Sequence, residues 1–303
     1  MIYPWLNEFK KPLEIAYSAN RLHHGILLSG QEGIGKAEFS EELAKGLLCN
    51  SSANQLEACG HCKSCQLQQA GTHPDKLVIG RDKKTIGVDE VRKVAQFVQS
   101  SAGQNANKVI ILLNVHLMTT SAANALLKTL EEPNAHRYLL LVTHEPMRLS
   151  ATIRSRCLDH NLAISHYEDA SNWLSSFDLI NQPWHILFAQ QPLLLLNWHQ
   201  QGDLNQLDKL YFCIENLQTQ ADLQQINEIL KQKPEFISVF SIFLFATIKD
   251  YLVQKRLSFS CYQKCIKLLA NFDTSIKTIL GLNVPLAISQ LIFSLQEQFN
   301  LNN

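Results

Sequence analysis

The run Gly25-Ile26-Leu27-Leu28-Ser29, then Gly30-Gln31-Glu32-Gly33-Ile34-Gly35-Lys36, then a helical pattern over residues 37–48, constrains this chain more than any other feature. It reads as strand, glycine loop, helix. In that order backbone N–H groups at a helix start can face a phosphate while a lysine reaches its outer oxygens. Gly30, Gly33, Gly35 and Lys36 hold the positions such a loop needs, but Ala37 stands where a Ser or Thr hydroxyl would hold Mg²⁺. Two readings stay open on these residues: a retained nucleotide contact, and a strand-to-helix turn that uses glycine for geometry alone.

Residues 77–79, 109–113 and 138–142 form further apolar runs, separated by helical spacing over 88–100 and over 120–132, the latter stopping at Pro133. A helix over 12–24 precedes the first strand, and a short element follows Arg154-Ser155-Arg156-Cys157. Strands that are apolar at nearly every position are covered on both faces, which predicts a parallel α/β sheet. An ATPase of this layout would place an aspartate and a glutamate at the end of 109–113. The chain has Leu113-Asn114-Val115-His116 there. With Ala37, that makes two independent losses in one site, so no independent hydrolysis is expected. His116 reads as a sheet-end histidine, because no carboxylate partners it in the local sequence.

Beyond Ser165 the strand signal ends. Residues 168–177, 208–217, 223–230, 235–253, 262–270 and 285–299 repeat apolar side chains at helical spacing, predicting a small domain to about residue 205 and a larger bundle after it. The oily run 236–248 is shorter than the roughly 20 residues of a membrane helix, and the start is not a secretory signal. A cytoplasmic protein with reduced cysteines and no membrane partner is expected. The 27 basic and 27 acidic side chains cancel, so net charge cannot steer the chain onto a polyanion.

Cys59, Cys62 and Cys65 are separated by two-residue gaps, and Cys49 lies ten positions upstream. Four thiolates at such spacing surround Zn²⁺ tetrahedrally and leave no open position for water, so the zinc is expected to be structural. The competing reading is a pair of disulfides or a redox couple. Cys213, Cys261 and Cys265 fall in helical segments and read as small buried thiols, while Cys157 has no helper base nearby. Arg156 follows a short helix near the strand ends. On spacing alone it is either a surface arginine or one directed into a neighbouring subunit.

Gly30 to Lys36, the four cysteines, Gly71-Thr72-His73-Pro74-Asp75, Ala122-Ala123-Asn124-Ala125-Leu126-Leu127-Lys128-Thr129-Leu130-Glu131-Glu132-Pro133 and Ser155-Arg156-Cys157 together resemble the delta prime family of bacterial DNA polymerase III clamp-loader subunits. Tyr3-Pro4-Trp5-Leu6 and Gly281-Leu282-Asn283 add to the likeness. The resemblance implies an AAA+ P-loop module with a parallel sheet over 1–165 carrying a zinc-knuckle insertion at about 49–65, a helical lid over 166–205, and an all-α collar over 206–303. It also implies a rigid stator in a hetero-pentameric ring with delta and the motor (gamma/tau) subunits, which loads the sliding clamp on primed DNA.

On the same resemblance the chain's own nucleotide site is degenerate, and Arg156 completes the ATP and Mg²⁺ site of an adjacent motor subunit in trans. Thr143 takes the place of a first sensor, and Phe188-Ala189-Gln190-Gln191-Pro192-Leu193 lacks the arginine of a second. Asn124, Lys128, Glu131 and Glu132 are expected to form a packing or intersubunit face. Lys83, Lys84, Arg92 and Lys93 are expected to be solvated.

Overall fold

A computed structural model describes residues 2–51, 56–104, 107–132, 135–179, 182–215 and 220–300. Its five strands are β1 (Gly25–Gly30), β2 (Lys76–Ile79), β3 (Lys108–Leu112), β4 (Arg137–Val142) and β5 (Leu158–Leu162). They run parallel in the order β2-β3-β4-β1-β5, with Gly25 opposite Leu139 and Ile26 opposite Leu158.

Successive side chains of a strand face opposite sides of the sheet, and here both sides are apolar. Ile26, Leu28, Val109, Ile111, Leu140 and Val142 join one core, closed by Leu13 of α1 (Asn7–Ser18) and by Phe39, Leu43 and Leu47 of α2 (Lys36–Leu48). The knuckle helix α3 (Lys63–Gln69) follows α2. Leu27, Ile110, Leu112, Leu139 and Leu141 join the other core, closed by Val91, Val94 and Val98 of α4 (Val88–Gln99) and Ala122, Leu126 and Leu130 of α5 (Thr120–Glu131). Each fully buried aliphatic side chain contributes about 1.5–3 kcal/mol, so the two-sided burial that predicted a parallel sheet also holds it.

The structure sharpens the sequence reading at several elements. The first helix starts at Asn7, straight after a 3₁₀ turn at Pro4–Leu6, and crosses Pro12 on its exposed face; it ends before Asn20, whose φ of 54° is left-handed. The helix expected to stop at Pro133 ends at Glu131, and Pro133 lies outside the described residues. The short element after Cys157 is β5, an edge strand of mostly exposed residues that lacks the apolar run of its neighbours.

The chain forms two compact units, one of residues 1–177 and 189–194, the other of 178–188 and 195–303. The first contains the sheet, α6 (Ala151–Arg154), α7 (Tyr167–Ser175) and the opening residues of α8 (Pro192–Gln201). The second is helical, with α9 (Leu204–Glu215), α10 (Gln220–Gln232), α11 (Ile237–Val253), α12 (Phe259–Thr278) and α13 (Val284–Asn300). Its core includes Trp184, which lies 5.5 Å from Phe243 between ring centroids and donates Nε1–H to Asp208 Oδ1 at 2.7 Å. Pro234–Val253 is a 20-residue helical stretch long and apolar enough to cross a membrane, longer than the oily run read from sequence. Val239, Phe240, Phe243, Leu244 and Ile248 are buried against this unit's own helices, so α11 is its core helix.

Candidate functional site

The glycine loop leaves β1 at a point where only glycine fits. Gly30 has a φ of 137°, and a Cβ there would lie 2.2 Å from the Leu162 carbonyl oxygen. Gly35, at φ 98°, packs so closely under the Tyr3 ring that a Cβ would meet it at 2.7 Å. The loop is also held from outside: Trp5 donates Nε1–H to the Ile34 carbonyl at 2.8 Å, and Leu193 N–H donates to the Gly33 carbonyl at 3.0 Å. Tyr3 and Trp5 stack at 5.0 Å, and both meet the edge of Trp173 from α7. Nothing in the spacing of the loop pointed to this aromatic clamp; Tyr3 and Trp5 entered the sequence reading only as family marks.

Lys36 opens α2 and is buried. Its ammonium donates to the carbonyls of Gly30 at 2.9 Å and Gln31 at 2.5 Å, so it closes the loop on itself. Burial pushes its pKa down to about 8, against the opposing pull of Glu32 and Glu38. At the end of β3, Leu113 is apolar and buried, and Asn114 adopts a left-handed φ of 53°. The curled backbone and the lysine are therefore present, and the Mg²⁺ hydroxyl and carboxylates are replaced by Ala37, Leu113 and Asn114. His116 is buried as a sheet-end histidine. Its Nδ1 lies 3.1 Å from Thr143 Oγ1, and burial, with His144 adding, pushes its pKa down to about 4.

The four cysteines meet as their spacing required. Sγ of Cys49 and Cys62, and Sγ of Cys59 and Cys65, are 3.9 Å apart, and all four lie within 4.8 Å of one another. Four Zn–S bonds of about 2.3 Å at tetrahedral angles put sulfurs roughly 3.8 Å apart, so the donor set fits a metal ion. A disulfide would need about 2.05 Å, and none of the eight cysteines, all of them described, is in one. Backbone N–H groups already face the sulfurs: Cys59 N to Cys49, Cys62 N to Cys59, and Cys65 N to Cys62, at 3.4–3.5 Å. The N–H groups of His61 and Cys62 pull the Cys59 thiol down to about 5, whereas burial pushes the Cys65 thiol up to about 12.

The knuckle is tied to the sheet by residues that the sequence offered only as a family word. Asp75 N–H donates to His73 Nδ1 at 3.1 Å, which leaves Nε2–H of a neutral ring for Ser64 Oγ at 2.8 Å, and Ser64 donates to the Leu48 carbonyl. The Asp75 carboxylate accepts N–H from Gly103 and Gln104, each at 2.7 Å.

Arg156 lies on the surface just after α6, its guanidinium 2.7 Å from Glu131 Oε1 and donating to the Thr152 carbonyl at 3.0 Å. Glu131 belongs to the exposed face of α5 that also carries Asn124 and Lys128. Among the basic residues expected to be solvated, exposed Lys83 reaches the partly buried Glu90 at 3.4 Å, and exposed Arg92 reaches exposed Asp89 at 2.9 Å. Cys213, Cys261 and Cys265 are buried, and burial pushes the Cys157 thiol up to about 12, which removes it as a nucleophile.

A five-stranded parallel sheet with a glycine loop between β1 and a buried helix-opening lysine defines an AAA+ P-loop α/β module, followed by a helical region. The chain belongs to the family described as DNA polymerase III, delta subunit, whose profile matches residues 5–165. It is 43% identical over 175 residues to DNA polymerase III subunit delta' of Escherichia coli strain K12, covering 57% of this chain and 52% of that protein. It is 37% identical over 210 residues to the subunit of the same name from Haemophilus influenzae, covering 68% and 64%. The matched region thus spans between half and two thirds of these relatives. A Thermotoga maritima crystal structure described as a DNA polymerase III gamma subunit-related protein shares the fold at 19% identity, with a TM-score of 0.52 over 97% of this chain and 99% of that one.

Proposed function

We propose that this chain is the delta prime stator of a DNA polymerase III clamp loader, a cytoplasmic replication subunit that helps ATP-driven loading of the sliding clamp on primed DNA. The observation that carries the reading is a preserved phosphate-loop fold without its Mg²⁺ ligands, combined with an arginine on the surface beyond that site. Residues 166–205 act as the lid and 206–303 as the collar that joins delta and the motor (gamma/tau) subunits in a hetero-pentameric ring. Cys49, Cys59, Cys62 and Cys65 hold a structural Zn²⁺. Gly30, Gly33, Gly35 and Lys36 are a degenerate phosphate loop.

Arg156 supplies charge in trans to ATP bound by the neighbouring motor subunit. Its pairing with Glu131 does not oppose that role. Both partners are substantially exposed, and such a pair is worth about 0.2–1 kcal/mol, whereas an arginine at a transferring phosphoryl group is worth about 10³–10⁵ in rate. Breaking the Glu131 pair therefore costs little beside the transition-state stabilisation such an arginine supplies. The test is reconstitution with the motor and delta subunits: Arg156→Ala is expected to assemble normally and to lower DNA-stimulated ATP turnover. Unchanged turnover in an assembled complex removes the trans assignment, and turnover by the purified chain alone, abolished by Lys36→Ala, replaces the stator reading with an autonomous ATPase.

A further inference from the structure

Three side chains gather at the carboxyl edge of the sheet beside the phosphate loop, where α/β folds place their ligands. β3 and β4 are neighbours, with Leu112 opposite Leu141. The chain leaving β3 turns through Asn114 into a 3₁₀ turn, Val115–Leu117, that carries His116; the chain leaving β4 passes Thr143 and presents His144 and Glu145. We propose that His116, His144 and Glu145 form a second metal site, for a borderline divalent transition ion such as Zn²⁺, Co²⁺ or Ni²⁺. The site is separate from the cysteine knuckle, and the inference does not depend on the clamp-loader reading.

The donor atoms of the three residues lie within 4.8 Å of one another. His144 Nε2 is 3.6 Å from Glu145 Oε1, and the two imidazole centroids are 4.3 Å apart. Metal bonds of about 2.0–2.1 Å at tetrahedral angles set neighbouring ligands roughly 3.4 Å apart, so a small rotation of the half-buried His144 and Glu145 completes the set. His116 is the fixed member, buried and anchored. Thr143 Oγ1 accepts N–H from Glu145 at 3.0 Å and lies 3.1 Å from His116 Nδ1. With Nδ1–H donated to that oxygen, Nε2 carries the lone pair. A ligating histidine is ordinarily oriented by such a partner on its other nitrogen.

Two imidazoles and one carboxylate suit zinc, cobalt and nickel, whereas Mg²⁺ requires oxygen donors. Three protein ligands leave a coordination position open, unlike the closed Cys₄ set. The cations that face the site are Lys36, whose charge reaches His116, and Arg148, which sits 3.4 Å from Glu145 Oε2. A bound ion therefore competes with Arg148 for Glu145.

Equilibrium dialysis of the zinc-loaded full chain against Co²⁺, with metal analysis of the protein, tests the assignment. About one equivalent of Co²⁺ is expected in addition to the cysteine-bound zinc, with an absorption spectrum lacking thiolate-to-cobalt charge transfer. His144→Ala and Glu145→Gln, both at partly exposed positions, should each weaken Co²⁺ binding at least tenfold without changing circular dichroism, and Thr143→Val should weaken it about tenfold through the lost orienting bond. Cys62→Ser should affect zinc content and leave the cobalt equivalent in place. No Co²⁺ beyond the zinc, or a cobalt equivalent untouched by His144→Ala and Glu145→Gln, overturns the proposal.

Discussion

Lys36 offers a quantitative test of how tightly the phosphate loop is closed. Its pKa falls from 10.5 to about 8 because the ammonium is buried. The unfolded chain keeps the proton up to its own higher pKa, while the folded loop releases it near 8. Folding therefore carries a cost of about 3 kcal/mol below pH 8, which shrinks as pH rises towards 10.5 and vanishes above it. Lys36→Met keeps most of the stem and removes the charge, but it leaves the Gly30 and Gln31 carbonyls without their donor, at about 1 kcal/mol each. The variant should thus be about 1 kcal/mol more stable than the parent near neutral pH. Between about pH 7.5 and 9.5 the parent gains about 2 kcal/mol on the variant, enough to reverse their order. Urea unfolding of both proteins at the two pH values, read in the transition of the sheet-bearing unit, measures this; groups that titrate in both proteins cancel in the difference. A gap that stays constant with pH would mean that Lys36 titrates as it does in water, and that the closed, dry loop described above is wrong.

Gly30→Ala should lower stability by more than about 2 kcal/mol, since it combines a left-handed φ with a Cβ 2.2 Å from the Leu162 oxygen; thermal unfolding checks it, and a wild-type midpoint would contradict the geometry. Asp75→Ala should cost about 2–4 kcal/mol by stranding the N–H groups of Gly103 and Gln104, which a denaturant midpoint will show. Removing metal from the cysteine knuckle with a chelator should lower the melting temperature of the sheet-bearing unit by about 2–4 °C per kcal/mol lost, and restored zinc should restore it. Arg156→Ala should change stability by no more than about 1 kcal/mol, so that any loss of ATP turnover in the assembled complex is not a folding defect.

Much of the α/β half was legible because its signals are local. Ile26 to Leu28 and Val109 to Leu112 are apolar at consecutive positions, which only a strand buried on two faces requires, and the glycines and cysteines carry their geometry in their spacing. The helix expected over 12–24 lies earlier, at Asn7–Ser18, because the 3₁₀ turn at Pro4–Leu6 leads straight into it and Pro12 is accommodated on the solvent side. α3 was missed inside the cysteine insertion, although Cys62 caps it by accepting the Cys65 N–H. β5 lacks an apolar run because it is an edge strand. The contacts that define the sites were hidden for a different reason. Arg156 meets Glu131, and His116 meets His144, through the way α5, α6, β3 and β4 pack, and no local pattern encodes a register between distant segments.

The strand order has a consequence for synthesis of the chain. β1 carries the phosphate loop and is made early, yet its two partners are β4 and β5, with Gly25 waiting for Leu139 and Ile26 for Leu158. At about 5–20 residues per second, that delay is on the order of 10 s on the ribosome. The knuckle, by contrast, closes between Cys49 and Cys65 and needs none of the later strands for its ligands. During the wait Gly25–Gly30 is a bare apolar strand with both edges open, the kind of segment that pairs with the wrong chain. It is therefore the part of this nascent protein most in need of a chaperone's shelter until residue 162 emerges.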